Sequence, residues 1–287
     1  MKTSSALFKA LRPKQWIKNL LVYAALVFSE NIFNVQMVIE ATIAFAVFCV
    51  IASCGYLYND LKDIEADSLH PTKKNRPLAS GALAPGVAVG FMAVMGPLSL
   101  VTAWMLRPTF AIVALSYLVL TLTYTFVLKH IVIVDVMTIA AGFVLRAVAG
   151  AVAIDVPISP WFIVCTGFGA LFLGLSKRRA ELMLLEEEAT SHRKNLEEYS
   201  DGLLQQMLDV AAASTLMSYA LYTIGGGHGP WMMATIPFVV YGFFRYQYLV
   251  TRKGEGGAPT QTLLRDRPLQ FDILLFVAVS VAALYLG

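Results

Sequence analysis

The sequence predicts an all-α membrane protein, a polytopic bundle of about nine transmembrane helices. Three observations carry that prediction. Of 287 residues, 57% are hydrophobic and 14% are charged, against roughly 25% charged in a soluble domain, and mean hydropathy is +0.66. Apolar stretches near the roughly 20 residues that a spanning helix needs recur along the whole chain. Lysine and arginine gather in alternate connections between those stretches, the pattern that orients membrane proteins.

In chain order, residues 1–12 read as a short amphipathic lead-in, with Leu7, Phe8 and Leu11 available for the membrane interface. Lys2, Lys9, Arg12, Lys14 and Lys18 are scattered through it with no short apolar core behind them, so no cleavable signal peptide is expected. The spans follow at 15–33, 37–59, 84–105, 108–128, 131–153, 159–180, 204–225, 230–250 and 269–286. Bases fall at the N-terminus and at 62–76, 129, 177–194 and 245–267. The connections 30–40, 154–158 and 224–230 carry none, and the one near 106 carries only Arg107. The N-terminus and the motif-bearing loops are therefore expected in the cytoplasm and the C-terminus outside. One integral domain over 1–287 is expected, capped at 60–80 and 177–203. Cys49, Cys54 and Cys165 all lie in spans and read as buried free thiols. No pair among His70, His130, His192 and His228 has metal-ligand spacing, and no Ser/His/Asp signature, glycine-rich phosphate loop or nucleic-acid feature is present.

The second span ends in Asn59-Asp60-Leu61-Lys62-Asp63-Ile64-Glu65-Ala66-Asp67. Carboxylates at a bilayer boundary are costly unless compensated. Asp60, Asp63 and Asp67 share one face if the helix continues, with Glu65 and Lys62 turned to water. A divalent cation would relieve their repulsion, and Mg²⁺ takes carboxylates together with substrate phosphates. Asn59 is placed to ligate the metal or hydrogen-bond a phosphate. Lys73, Lys74 and Arg76 follow at once, stiffened by Pro71 and Pro77. They suit a phosphate clamp, Arg76 above all for its planar fork, or else a contact to anionic headgroups.

Other bases present the same choice. Lys14 and Lys18 are one α-helical turn apart and either hold a phosphate or anchor the first span. Lys177, Arg178 and Arg179 close span six, with Glu181 spaced to pair with Lys177; they form a surface ion-pair cluster or a seat for a phosphorylated sugar. The glutamates at 186–188 and 197–198 read as a solvated face. Arg146 and Asp135 lie inside span five, about 16 Å apart along it, too far to pair, and each should face a polar interior. Arg265 precedes span nine as an anchor or a substrate contact.

The form NDxxDxxxD at Asn59–Asp67, closing a span ahead of a basic proline-containing loop, resembles the UbiA superfamily of intramembrane prenyltransferases over essentially the whole chain. The resemblance implies a helical bundle around a central cavity, with Mg²⁺–diphosphate held at its cytoplasmic mouth. The family's second aspartate motif is missing: the corresponding region reads Ser176-Lys177-Arg178-Arg179-Ala180-Glu181-Leu182. The chain is more similar to a branch with another donor, the decaprenyl-phosphate 5-phosphoribosyltransferases. Arg12–Asn19, Tyr58–Asp60 with His70–Lys73, Lys177–Leu182 and Leu264–Arg267 carry that likeness.

That likeness implies Mg²⁺ as cofactor, 5-phosphoribosyl 1-diphosphate as donor and polyprenyl phosphate as acceptor, within the lipids of a bacterial inner membrane. The product would feed arabinose donors for the cell wall. Asp60, Asp63 and Asp67 would be catalytic and, with Asn59, metal-binding. Lys14, Lys18, Asn59, Lys73, Lys74, Arg76, Arg146, Lys177, Arg178, Glu181 and Arg265 would contact substrate. No nucleic acid is expected, and homo-oligomerisation is left open. The alternative within the family is an isoprenoid transferase using a prenyl diphosphate; outside it, a transporter of a phosphorylated lipid or metabolite.

Overall fold

The structure, a computed structural model, describes residues 3–70, 73–187, 198–226, 229–253 and 259–285. Helix α1 (Thr3–Ala10) leads into a 3-10 helix, Pro13–Tyr23, continued by α2 (Ala24–Phe28). There follow α3 (Val35–Lys62), α4 (Ile64–Leu69), a 3-10 turn at Lys73–Asn75, α5 (Pro85–Leu106) and α6 (Pro108–Phe126). After a 3-10 turn at Leu128–His130 come α7 (Val134–Ala153), α8 (Pro160–Glu187) and α9 (Asp201–Gly225). A 3-10 helix, Pro230–Thr235, runs into α10 (Ile236–Lys253), and α11 (Pro259–Arg265) and α12 (Arg267–Tyr285) complete the chain. Part of the expected 177–203 cap, including Glu188, His192 and Glu197, lies outside the described residues, as do Pro71 and His228.

The protein is an all-helical membrane protein, and each of the nine expected spans coincides with helix. Among the described residues, seven helices are long and apolar enough to cross a bilayer: α3, α5, α6, α7, α8, α9 and α12. The first expected span falls short because its chain is split between the 3-10 helix and a five-residue α-helix. The eighth falls short because the 18-residue α10 is interrupted by Arg245 and Gln247.

The chain divides into two compact units. The first comprises residues 1–126 and 145–157. Its core is built on α3, whose Val47, Phe48, Ile51 and Ala52 meet Ala103 of α5, Phe110, Ala114 and Tyr117 of α6, and Ala149 and Ala153 of α7. The outward faces of α5 and α6 expose Val94, Leu98, Val101, Ile112, Leu115 and Val119, the apolar surface a spanning helix offers to lipid. Apolar surface gains little from helix association in lipid, so close backbone approach at small residues matters more. At Gly150 of α7 an added Cβ would lie 2.0 Å from the backbone oxygen of Val22. A second cluster seats α1: Ala6 and Ala10 pack with Leu57, Leu78, Leu83 and Ala88, flanked by Leu7 and Leu11. Leu7 and Leu11 therefore serve packing and not the membrane interface, and Phe8 stays outside, 59% exposed.

The second unit comprises residues 127–144 and 158–287. Val136 of α7, Phe172 and Leu175 of α8, Leu204 and Leu208 of α9, and Tyr246 and Leu249 of α10 form its core. Ser200 caps α9, its side chain accepting from the Leu203 N–H at 3.2 Å. A buried ion pair locks α7 to α8: Arg178 Nε donates to Asp135 Oδ2 at 2.8 Å, with both side chains at 2% exposure or less. Tyr199 Oη donates to Asp135 Oδ1 at 3.1 Å and accepts from the Ile133 N–H at 2.6 Å. Burial pushes that phenol up to about 12, so it stays a donor. Ile133 sits at φ 68°, strained for a β-branched residue and held by this network.

Two predictions test this packing. Gly150→Val should lower the melting temperature in detergent, with a cost of about 1–3 kcal/mol for overpacking; an unchanged melting temperature would mean the first span can retreat freely. Asp135→Ala should destabilise by up to about 3–5 kcal/mol, because it removes the fully buried partner of Arg178 and leaves that charge only the partly exposed Glu181. Asp135→Ala with Arg178→Leu should recover part of that loss, and a double variant as unstable as Asp135→Ala alone would contradict the charge argument.

Candidate functional site

The acidic run does not form one continuous helical face. Helix α3 stops at Lys62, and Asp63 sits at its end with φ −99° and ψ 11° before α4 begins. The bend separates the three aspartates. Asp60 and Asp67 are buried, 2% and 3% exposed, and converge on one arginine: Arg76 Nη1 lies 3.1 Å from Asp60 Oδ1 and 2.5 Å from Asp67 Oδ2. Arg12 Nη2 donates to the same Asp60 oxygen at 2.5 Å. Asp63 instead accepts from Asn59 Nδ2 at 3.0 Å. The expected triad of aspartates on a shared face is thus corrected to a buried pair, with Asp63 and Asn59 bound to each other. Among the described residues no three acidic, histidine or cysteine side chains group as a metal site. Glu65 and Lys62 are exposed, as expected.

Asp60 lies in the wall of a cleft of about 390 Å³, lined also by Lys9, Arg12, Lys73, Asn75 and Arg76. The 70s loop turns back over the acids, and Arg76 is its contact to them. Lys74 is exposed and does not line the cleft. The donor set fits Mg²⁺: two buried carboxylates aimed at one positive centre are hard oxygen ligands, and Mg²⁺ is commonly held by one or two carboxylates plus substrate phosphates and water. In this structure guanidinium nitrogens supply the positive charge.

Sequence reasoning missed Arg12 and Lys9 here. Arg12 adopts a left-handed backbone, φ 54° and ψ 59°, and its guanidinium lies 5.1 Å from the centre of the Tyr56 ring. The available signal was a base immediately before a helix-starting proline, within the Arg12–Asn19 segment that carries the family likeness.

The next segment also departs from expectation. A 3-10 helix turns 120° per residue, so positions three apart align and positions four apart do not. Lys14 and Lys18 therefore lie on different sides, Lys14 exposed and Lys18 half-buried. Trp16, Asn19 and Val22 form the aligned row. Trp16 Nε1 donates to Ser53 Oγ at 3.1 Å, and Asn19 Nδ2 lies 3.3 Å from Cys49 Sγ. Arg146 reaches this row from α7, donating through Nε to Asn19 Oδ1 at 2.7 Å and through Nη2 to Tyr117 Oη at 2.6 Å. Arg146 faces a buried polar interior, as expected, with Tyr117 also under its guanidinium.

In the second unit the bases at 177–179 are engaged. Arg178 is held by Asp135 and Glu181, and Arg179 donates to Asp201 Oδ1 at 2.6 Å and to Gln205. Lys177 lies 3.8 Å from Glu181, the expected pair one turn apart. Arg265 is exposed; its neighbour Asp266 pairs with Arg245 at 2.8 Å and caps α12 through the Leu269 N–H.

Comparison with known proteins accords with this arrangement. A sequence model described as the UbiA prenyltransferase family matches residues 20–264. The decaprenyl-phosphate phosphoribosyltransferase of Corynebacterium glutamicum is 39% identical, covering 99% of this chain and 88% of that protein. The enzyme of that name from Mycobacterium tuberculosis is 38% identical over 97% of this chain and 94% of its own. The solved structure of a UbiA homologue from Archaeoglobus fulgidus bound to GPP and Mg²⁺ superposes with TM-score 0.72 at 18% identity, covering 97% of this chain and 99% of that one. A family match across most of the chain, near full-length relatives and a shared fold establish one conclusion: this chain belongs to the UbiA prenyltransferase family.

Proposed function

We propose that this protein transfers the 5-phosphoribosyl group of 5-phosphoribosyl 1-diphosphate to a polyprenyl phosphate of the decaprenyl type, with Mg²⁺, releasing diphosphate. The reaction would take place at the cytoplasmic face of the bacterial inner membrane and supply arabinose donors for the cell wall. The observation that carries the reading is the near full-length identity of 38–39% to enzymes named for that activity. The cleft agrees with it. Lys9, Arg12, Lys73 and Arg76 surround Asp60, a surplus of bases suited to a donor with a diphosphate and a further phosphate.

In this mechanism Asp60 and Asp67 hold the metal, with Asn59 and Asp63 beside them. When bound, Mg²⁺ makes diphosphate a better leaving group. Arg76 exchanges carboxylate oxygens for oxygens of the diphosphate and so orients C1 of the ribose. An oxygen of the polyprenyl phosphate attacks C1 from the side opposite the leaving group. The C1–O bond to diphosphate breaks with its electron pair leaving on diphosphate, and the anomeric centre inverts. Charge spreads over the ribose ring as in other glycosyl transfers. The acceptor oxygen is already ionised, so no general base is needed. Lys73 and Lys74 would add positive potential at the mouth, and Lys18 and Arg146 would lie along the path of the acceptor.

The test is transfer of label from phosphoribosyl diphosphate into the lipid phase by purified protein with a polyprenyl phosphate. Label should appear with Mg²⁺ and vanish with a chelator. Asp60→Asn should cut turnover on the order of a hundredfold or more while the protein still elutes as a folded species. No transfer from this donor, with transfer from a labelled prenyl diphosphate instead, would replace this reading with an isoprenoid transferase.

A further inference from the structure

We propose that the N-terminal helix carries a second phosphate seat, Lys9 and Arg12, which takes the 5-phosphate of the donor and so selects a phosphoribosyl diphosphate over a diphosphate with an uncharged tail. The inference rests on the donor named above and adds residues that sequence reasoning left out of the site.

The first argument is a charge inventory. A phosphate monoester adds about −1.5 to −2 at neutral pH, beyond what a metal and the clamping Arg76 meet at the diphosphate. The bases that sequence reasoning offered for it have other partners. Arg178 is 2% exposed between Asp135 and Glu181, Lys177 lies 3.8 Å from Glu181, and Arg179 is held by Asp201 and Gln205. Lys9 is different: it is exposed, it lines the cleft beside Asp60, and its ammonium makes no ion pair among the described residues. Arg12 spends one nitrogen, Nη2, on Asp60, leaving the rest of its planar fork for another anion.

The second argument is the backbone. Arg12 at φ 54° occupies the left-handed region, which is unfavourable for a side chain of its kind. Such a conformation persists where the surroundings over-determine it, and here they do. Pro13 fixes the start of the next helix, Asp60 and Tyr56 hold the guanidinium, and the Arg12 N–H still bonds the Lys9 oxygen at 3.2 Å. The corner turns the chain directly beside the cleft, so that the last base of α1 and Arg12 line one wall of it. Seating the helix on Leu57, Leu78 and Leu83 through its two alanines makes that wall rigid. A rigid mount lowers the entropy lost when a phosphate is gripped.

The test is isothermal titration of the full-length protein in detergent with Mg²⁺, using phosphoribosyl diphosphate and, separately, inorganic pyrophosphate. Wild type should bind phosphoribosyl diphosphate more tightly. Lys9→Gln and Arg12→Gln should each weaken phosphoribosyl diphosphate by about ten- to hundredfold and pyrophosphate by about threefold or less, and Arg12→Lys should restore part of the loss. Equal weakening of both ligands would assign these residues to the diphosphate or to folding and overturn the proposal, as would no weakening of either. Lipid headgroups offer the same phosphate chemistry, so the titration is repeated in nanodiscs of phosphatidylcholine with and without phosphatidylglycerol. Donor affinity unaffected by either substitution, with reduced retention of phosphatidylglycerol, would give the seat to lipid and overturn the proposal. A wild type that binds pyrophosphate as tightly as phosphoribosyl diphosphate would also overturn the seat, whereas a wild type that transfers no phosphoribosyl group would refute the donor itself, a result distinct from all of these.

Discussion

The mouth of this protein depends on the buried carboxylate of Asp60. An acid at the end of a spanning helix, 2% exposed, is affordable only when paired. Its partners come from opposite sides in sequence, Arg12 ahead of the first span and Arg76 after α4. Pairing with both draws the N-terminal corner and the 70s loop onto the end of α3. Arg76 carries the constraint on to Asp67, so two acids and two guanidiniums form one closed, charge-balanced group. The seating of α1, the strained backbone of Arg12 and the shape of the cleft follow from it. In the proposed reaction a site balanced in this way would take a metal and a diphosphate together, so that the added cation offsets part of the added anion.

The molecule uses its bases in two ways, and burial decides between them. Where the chain is sealed from water, as at Arg178, a base has fixed acidic partners and acts as a structural tie. Where a cleft admits solvent, as at Lys9, a base can remain available for a ligand. The UbiA fold itself does not choose a donor, since one scaffold hosts different chemistries through the side chains placed on it.

Deeper in the first unit, the 3-10 winding of residues 13–23 has a consequence of its own. Aligning every third residue presents Trp16, Asn19 and Val22 to the core in a row. That row lets Asn19 receive Arg146 and lets the Val22 backbone touch Gly150. An α-helix would have rotated Asn19 away from the row. The intramembrane arginine thus depends on an unusual local geometry, and runs of 3-10 helix this long are uncommon.

Much of the architecture was legible in the sequence, because bilayer thickness and backbone hydrogen bonding leave a spanning segment little choice but a long apolar helix. The seven long spans and the buried thiols of Cys49 and Cys54 were readable by that logic. Helical periodicity failed where the chain leaves the α-helix. Asp63 breaks the acidic face, and 3-10 winding separates Lys14 from Lys18, because a change of about 20° per residue, accumulated over four residues, moves a side chain to another side without any mark in composition. The use of each base was also hidden. Arg178 and Lys9 look alike in sequence, and only tertiary structure decided that one would be neutralised by Asp135 while the other would face a cleft, since ion pairing depends on distances between residues remote in the chain.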